Sequence, residues 1–162
     1  MAELIKFSKR QVQAVATLAV DRPEQFLAFT LGGESFAMDI RSIREVIQFE
    51  ELTQVPMMPP FIRGIINLRG SVVPVIDLFV RFGRPPATVG PRTCIVILEL
   101  TQGDEAAELG VLVDSVSEVL TIAASAIEPA PTAGTELHPE FIAGVAKAGD
   151  RFVILLDVNH LL

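Results

Sequence analysis

The side chains that could do chemistry in this 162-residue chain are few, and their spacing does not favour catalysis. The two histidines, His138 and His160, stand beside a loop and near the last residue, where a solvated imidazole is expected. Cys94 lies inside the apolar run Thr93–Leu98 and reads as a small buried hydrophobe. Carboxylates are numerous, but no close pair stands on an otherwise apolar strand, as a general acid–base couple requires. The chain has no G-x-x-x-x-G-K-S/T, no G-x-G-x-x-G, no H-E-x-x-H, no G-x-S-x-G and no metal-ligand spacing. What it does offer is recognition chemistry. Along Phe61–Leu78, Arg63, Asn67 and Arg69 share one parity, while Ile62, Gly64, Ile66 and Leu68 share the other. Period-two alternation predicts a strand with one polar and one apolar face. Two guanidinium groups and an amide beside a sheet edge suit docking rather than turnover.

A hairpin must position them. Arg69-Gly70-Ser71 separates two apolar arms, and Gly70 supplies a position where positive φ is cheap. Pro74 cannot donate to a ladder, so the second arm is expected at a sheet edge or with a bulge. The same stretch then recurs. At an offset of about 80 residues Phe61, Gly64 and Asp77 align with Phe141, Gly144 and Asp157. At an offset of about 73, residues 40–47 align with 113–120 and Pro56 with Pro129. Ordered matches that include Gly, Glu, Pro and Asp imply two similar halves, each too small to bury much surface alone.

The remaining pattern is strand-like. Phe26–Leu31 alternates, Gly32-Gly33 signals a two-residue hairpin, Ser35–Ile40 returns, and Ile43–Phe49 follows. A proline-bearing loop spans Phe49–Pro60, and one helical turn is expected over Leu78–Phe82. The Gly/Pro-rich segment 83–91 is a linker. Beyond it, Thr93–Leu100, Leu109–Val113 and Val116–Ile122 read as strands, Thr121–Pro139 as a loop, and 141–158 as the repeated hairpin. About ten short strands with frequent turns predict an all-β fold of small barrels. Mean hydropathy is +0.47, yet every apolar run is strand-sized, so the surplus must fill cores or a binding surface. Net charge −7 disfavours nucleic acid and anionic membrane, and a lone cysteine fits a reducing compartment. Residues 1–23 stand apart as an N-terminal extension, because Gln11, Gln13 and Glu3 break a signal-peptide pattern.

Residues 26–32 (Phe-Leu-Ala-Phe-Thr-Leu-Gly), 43–47 (Ile-Arg-Glu-Val-Ile), 61–70 (Phe-Ile-Arg-Gly-Ile-Ile-Asn-Leu-Arg-Gly), 73–78 and 113–120 resemble the CheW family of bacterial chemotaxis coupling proteins. The resemblance runs roughly from Glu24 to Leu162, and Asn-Leu-Arg-Gly in its strand–turn context is its most specific part. It implies two five-stranded, SH3-like β-barrel subdomains packed around a shared hydrophobic core, with short helices. On that pattern one domain covers 24–162, with halves of about 24–84 and 92–162. It also implies a non-catalytic cytoplasmic adaptor, without cofactor or metal, between chemoreceptor tips and the regulatory domain of the histidine kinase CheA. By the same resemblance Ile43, Glu45, Arg69, Val116 and Val119 are receptor-coupling residues, and Glu45 pairs with Arg69. Gln54, Val55 and Val72 face the kinase, and Gly64, Gly70 and Gly110 are structural. An adaptor of a twitching or gliding system, and a small ligand-binding barrel, are the competing readings. A pocket lined by convergent polar groups would favour the barrel, and a shallow apolar groove the adaptor.

Since residues 1–23 do not join the strand periodicity, a chain starting at Glu24 is expected to keep the β signal in far-ultraviolet dichroism. Its melting temperature should stay within about 3 °C of the full chain; a larger drop would show that the extension packs on the domain.

Overall fold

The computed structural model describes residues 23–129 and 139–161. Residues 1–22 of the extension and 130–138 of the Thr121–Pro139 loop, His138 among them, lie outside the described residues. The elements are β1 (Glu24–Leu31), β2 (Glu34–Asp39), β3 (Ile43–Gln48), β4 (Ile62–Leu68), β5 (Ser71–Asp77), a single turn of helix α1 (Leu78–Arg81), β6 (Cys94–Gln102), β7 (Glu105–Val113), β8 (Ser115–Ile122), β9 (Ile127–Glu128), β10 (Ile142–Ala148) and β11 (Arg151–Leu156). Gly32 and Gly33 turn β1 into β2 with φ of 58° and 82°, so the expected hairpin forms where glycine makes left-handed backbone cheap.

The strands form two sheets, ordered β3-β6-β7-β5-β4 and β8-β1-β2-β11-β10-β9. The fold is thus all-β with two subdomains, one of five strands and one whose sixth strand is the two-residue β9. Sheets and sequence halves are different partitions of the chain. Hairpin β1–β2 comes from the first half but pairs with β8 and β11; hairpin β6–β7 comes from the second half but pairs with β3 and β5. Each half therefore completes the other's sheet.

Three apolar clusters result. A shared core between the sheets contains Leu27, Phe29, Phe36 and Met38 from one and Val96, Leu98, Val111 and Val113 from the other. A second core, around Ile66, Val73, Ile95 and Ile97, belongs to the five-stranded sheet, and a third, around Phe26, Ala37, Val153 and Leu155, to the six-stranded one. Burial on this scale is the main favourable term in folding.

The repeat is visible bond by bond. Asp77 N–H donates to the Phe61 carbonyl at 2.8 Å, and Asp157 N–H to that of Phe141 at 2.9 Å. Both aspartates then cap a following turn, accepting from Phe79 N at 2.9 Å and from Asn159 N at 3.1 Å. Both preceding strands shift register, between Ile62 and Gly64 and between Ile142 and Gly144. A Cβ on Gly64 would lie 2.7 Å from Leu52 Cβ and 2.8 Å from the Thr53 carbonyl oxygen; one on Gly144 would lie 2.5 Å from Ile127 Cγ2. A passing segment crosses each hairpin at the same place, and only glycine lets it approach.

Two sequence expectations change. The Pro74 arm is not a sheet edge: β5 lies between β4 and β7. Its pairing with β7 begins at Val75, directly after Pro74, and the register shift falls on β4. A proline is therefore accommodated in an interior strand. Nor is Arg63 displayed for a partner. Its Nη1 donates to Asp77 Oδ2 at 3.0 Å and to the Ala87 carbonyl at 2.6 Å, while Ala87 N–H donates to the same Asp77 oxygen at 2.9 Å. Asp77 is 1% exposed, so these bonds satisfy a buried charge and pin the 83–91 linker to the hairpin.

Asp77→Ala would strand the Arg63 guanidinium and free the linker, and is expected to cost about 3 kcal/mol in urea unfolding. A loss below about 1 kcal/mol would show that the linker is held by other contacts.

Candidate docking site

The candidate site is built from two equivalent edge strands, β3 and β8, each outermost in its sheet. The 73-residue offset places Ile43 on Val116, Arg44 on Ser117, Glu45 on Glu118 and Val46 on Val119. Both strands bulge at the same point: the register skips Arg44 between Ile43 and Glu45, and Ser117 between Val116 and Glu118. A bulge re-aims the residues that follow it and blunts an open edge. Ile43 and Val116 are half-buried against the shared core. Val46 and Val119 are 40% and 47% exposed, an apolar pair at matching positions. A cleft of about 500 Å³ between the sheets is lined by Gln48, Cys94, Ser115, Val116 and Ser117 with residues 91–93.

The tip of hairpin β4–β5 reaches back to β3. Arg69 and Gly70 have φ of 51° and 89°, the two left-handed residues of a hairpin turn of the kind that matches strand twist. Asn67 Oδ1 accepts from Gly70 N–H at 2.9 Å, so the asparagine fixes the turn rather than facing a partner. Arg69, left-handed although not glycine, aims its guanidinium at Glu45: Nη1–Oε1 is 2.9 Å and Nη2–Oε2 is 2.8 Å. This two-pronged bond with the Glu45 carboxylate raises the Arg69 pKa, with the charge of Glu45 adding to it. Arg44, on the bulge, faces Glu99 and Glu108 at 3.8 and 3.6 Å.

The remaining candidates separate from this ledge. Val72 is 65% exposed beside the turn, opposite Asn67. Exposed Gln54 and half-buried Val55 follow Thr53, which bridges Ile65 on β4. Gly64 and Gly110 are points of close approach; a Cβ on Gly110 would lie 2.9 Å from Ile95 Cγ2. Cys94 is half-buried at the cleft rather than fully enclosed, its thiol 3.3 Å from the Arg92 carbonyl. His160 Nδ1 lies 2.9 Å from Asp157 Oδ2 on an exposed turn. Sequence reasoning passed over Val46 and Phe152, the latter 66% exposed. The repeat could have found both, because the two offsets carry Val119 onto Val46 and Val72 onto Phe152. Among the described residues no cluster of three His, Cys, Asp or Glu could hold a metal, and no helix is long and apolar enough to cross a membrane.

Residues 25–162 match the family model of the CheW-like domain. The chain belongs to the CheW family. It is 37% identical over 139 residues to a chemotaxis protein CheW of Klebsiella aerogenes, covering 86% of this chain and 81% of that protein. It is 32% identical over 149 residues to the protein FrzA of Myxococcus xanthus, covering 91% of each. The crystal structure of the scaffolding protein TtCheW from Thermoanaerobacter tengcongensis superimposes with a TM-score of 0.77 at 36% identity, covering 86% of this chain and 87% of that one. The shared core and paired subdomains described above are thus the CheW-like fold.

Exposure and close packing make opposite demands on substitution. Arg69→Ala is expected to move the melting temperature by less than about 3 °C, since an exposed ion pair adds little to stability. Gly64→Ala should destabilise by about 1–3 kcal/mol, because Leu52 and Thr53 would have to shift. The reverse order in thermal melts would contradict this division.

Proposed function

We propose that this CheW-family protein is a cytoplasmic, non-catalytic adaptor of chemotaxis that joins chemoreceptor tips to a CheA-type histidine kinase. The observation that carries the reading is the Glu45–Arg69 pair, which ties the tip of hairpin β4–β5 to edge strand β3 beside an apolar ledge. A receptor's helical tip would lie against Ile43, Val116 and Val119, with Glu45 and Arg69 holding the rim in its docking orientation. The kinase's regulatory domain would meet the outer side of the five-stranded sheet, at Gln54, Val55 and Val72. An exposed valine on an interior strand gives nothing to the fold at that spot, and its burial against a partner would be favourable.

Reconstituted receptor–adaptor–kinase assemblies test this. Arg69→Ala and Glu45→Ala are each expected to reduce receptor-stimulated kinase activity several-fold while the melts stay close to wild type. The double variant should lose less than the sum of the two in free-energy terms, because the pair acts as one unit. Val72→Asp should weaken binding to the isolated regulatory domain by about 10-fold or more and leave receptor binding unchanged. Fully additive losses would remove the pairing role, and normal coupling in Arg69→Ala would remove the reading itself.

A further inference from the structure

The two ledges differ in one respect that their common origin makes conspicuous. Glu45 and Glu118 hold equivalent positions, each just after the bulge of an edge strand. Glu45 is met by Arg69 from the tip of the neighbouring hairpin. In the second copy the 80-residue offset puts Gly149 where Arg69 stands, and among the described residues no guanidinium meets Glu118. Ser117 likewise replaces Arg44. Glu118 is exposed, and among the described residues its carboxylate has neither an ion-pair partner nor a hydrogen bond. One ledge thus carries two arginines and a glutamate, and the other only the glutamate.

We infer that Glu118 is the docking point for an arginine supplied by the receptor tip, which takes in trans the place that Arg69 takes in cis on the first ledge. The chain itself provides the template. The same backbone setting, an edge strand with a bulge one residue earlier, already presents a glutamate to a guanidinium in two-pronged geometry at 2.8 and 2.9 Å. Charge complementarity selects a basic partner, since no cation pairs with the carboxylate among the described residues. Position selects the receptor rather than the kinase. Glu118 is flanked along β8 by Val116 and Val119, the residues against which the receptor tip is proposed to lie. This inference rests on the adaptor reading above.

The test uses the full-length protein and a purified receptor-tip fragment, with binding measured by calorimetry at low salt, about 50 mM, and again at about 500 mM. Absence of wild-type binding to the tip would overturn the adaptor reading and this inference with it. Given wild-type binding, Glu118→Gln is expected to weaken it about 5-fold at low salt and less than 2-fold at high salt, as for an ion pair at an interface rim. Glu118→Arg should weaken it further, and Arg→Glu in the tip should restore binding to that variant. A graft gives an independent arm. Gly149→Arg with Asp150→Gly rebuilds the Arg69-Gly70 turn on the second hairpin; φ of 63° at Gly149 and 51° at Arg69 show that both turns begin left-handed. The graft should lower tip affinity about as much as Glu118→Gln, and the two changes combined should lose no more than either alone. Unchanged tip binding in Glu118→Gln, or a loss confined to the kinase regulatory domain, would overturn the inference while leaving the adaptor reading intact.

Discussion

The hairpins β1–β2 and β6–β7 are apolar on both faces, and a ribbon of that kind must be covered twice. Phe26 and Ala37 look into one core while Leu27, Phe29, Phe36 and Met38 look into another. In the same way Ile95, Ile97 and Leu112 face one side and Val96, Leu98, Val111 and Val113 the other. The two hairpins meet face to face across the shared core, and each turns its outer face toward the remaining strands of its own sheet, four for β1–β2 and three for β6–β7. Everything at the surface is positioned by this arrangement. The edge strands β3 and β8 each pair with one of the central ribbons on a single side, which leaves the two ledges flanking the junction between subdomains.

Near-symmetry organises that junction, and an arginine marks it. The Arg81 guanidinium, from α1, lies 4.9 Å from the Phe61 ring centroid and 4.7 Å from that of Phe141, the two rings that the repeat equates. Its Nε also donates to the Leu161 carbonyl at 2.9 Å. A cation shared by two aromatic faces ties the first hairpin to the second and to the last turn of the chain. Function, on the reading offered here, lies in the departures from symmetry. Arg69 faces a glutamate on one side and Gly149 leaves it free on the other, so two ledges of similar shape offer different chemistry to a partner.

Much of this was legible from residues. Period-two alternation and glycine turns located the strands, and the repeated Phe, Gly and Asp located equivalent hairpins. The Arg69–Glu45 pairing followed from resemblance and is present in the structure. Other features resisted for identifiable reasons. Alternation alone put Arg63 on the polar face with Arg69, but a buried carboxylate at Asp77 claims it, and no local pattern announces a contact with Ala87. Pro74 looked like an edge signal because a single sequence does not reveal where a neighbouring strand begins to pair. The exchange of hairpins between halves was equally hidden. Which ribbon each half pairs with is decided by long-range packing, which no local pattern announces.

That exchange shapes how the chain can acquire its structure. During synthesis the first ribbon emerges early, yet Glu24 faces Ile122 and Phe36 faces Ile154, partners made near the end. Its apolar faces have no lasting cover until the last strands are released, so the nascent chain must be kept from pairing with its neighbours in the meantime. Pairings this distant in sequence make folding slow and unfolding concerted. An adaptor with a surface so dependent on the relative placement of its two subdomains gains from this: the subdomains are interwoven, and neither ledge can drift while the other stays in place.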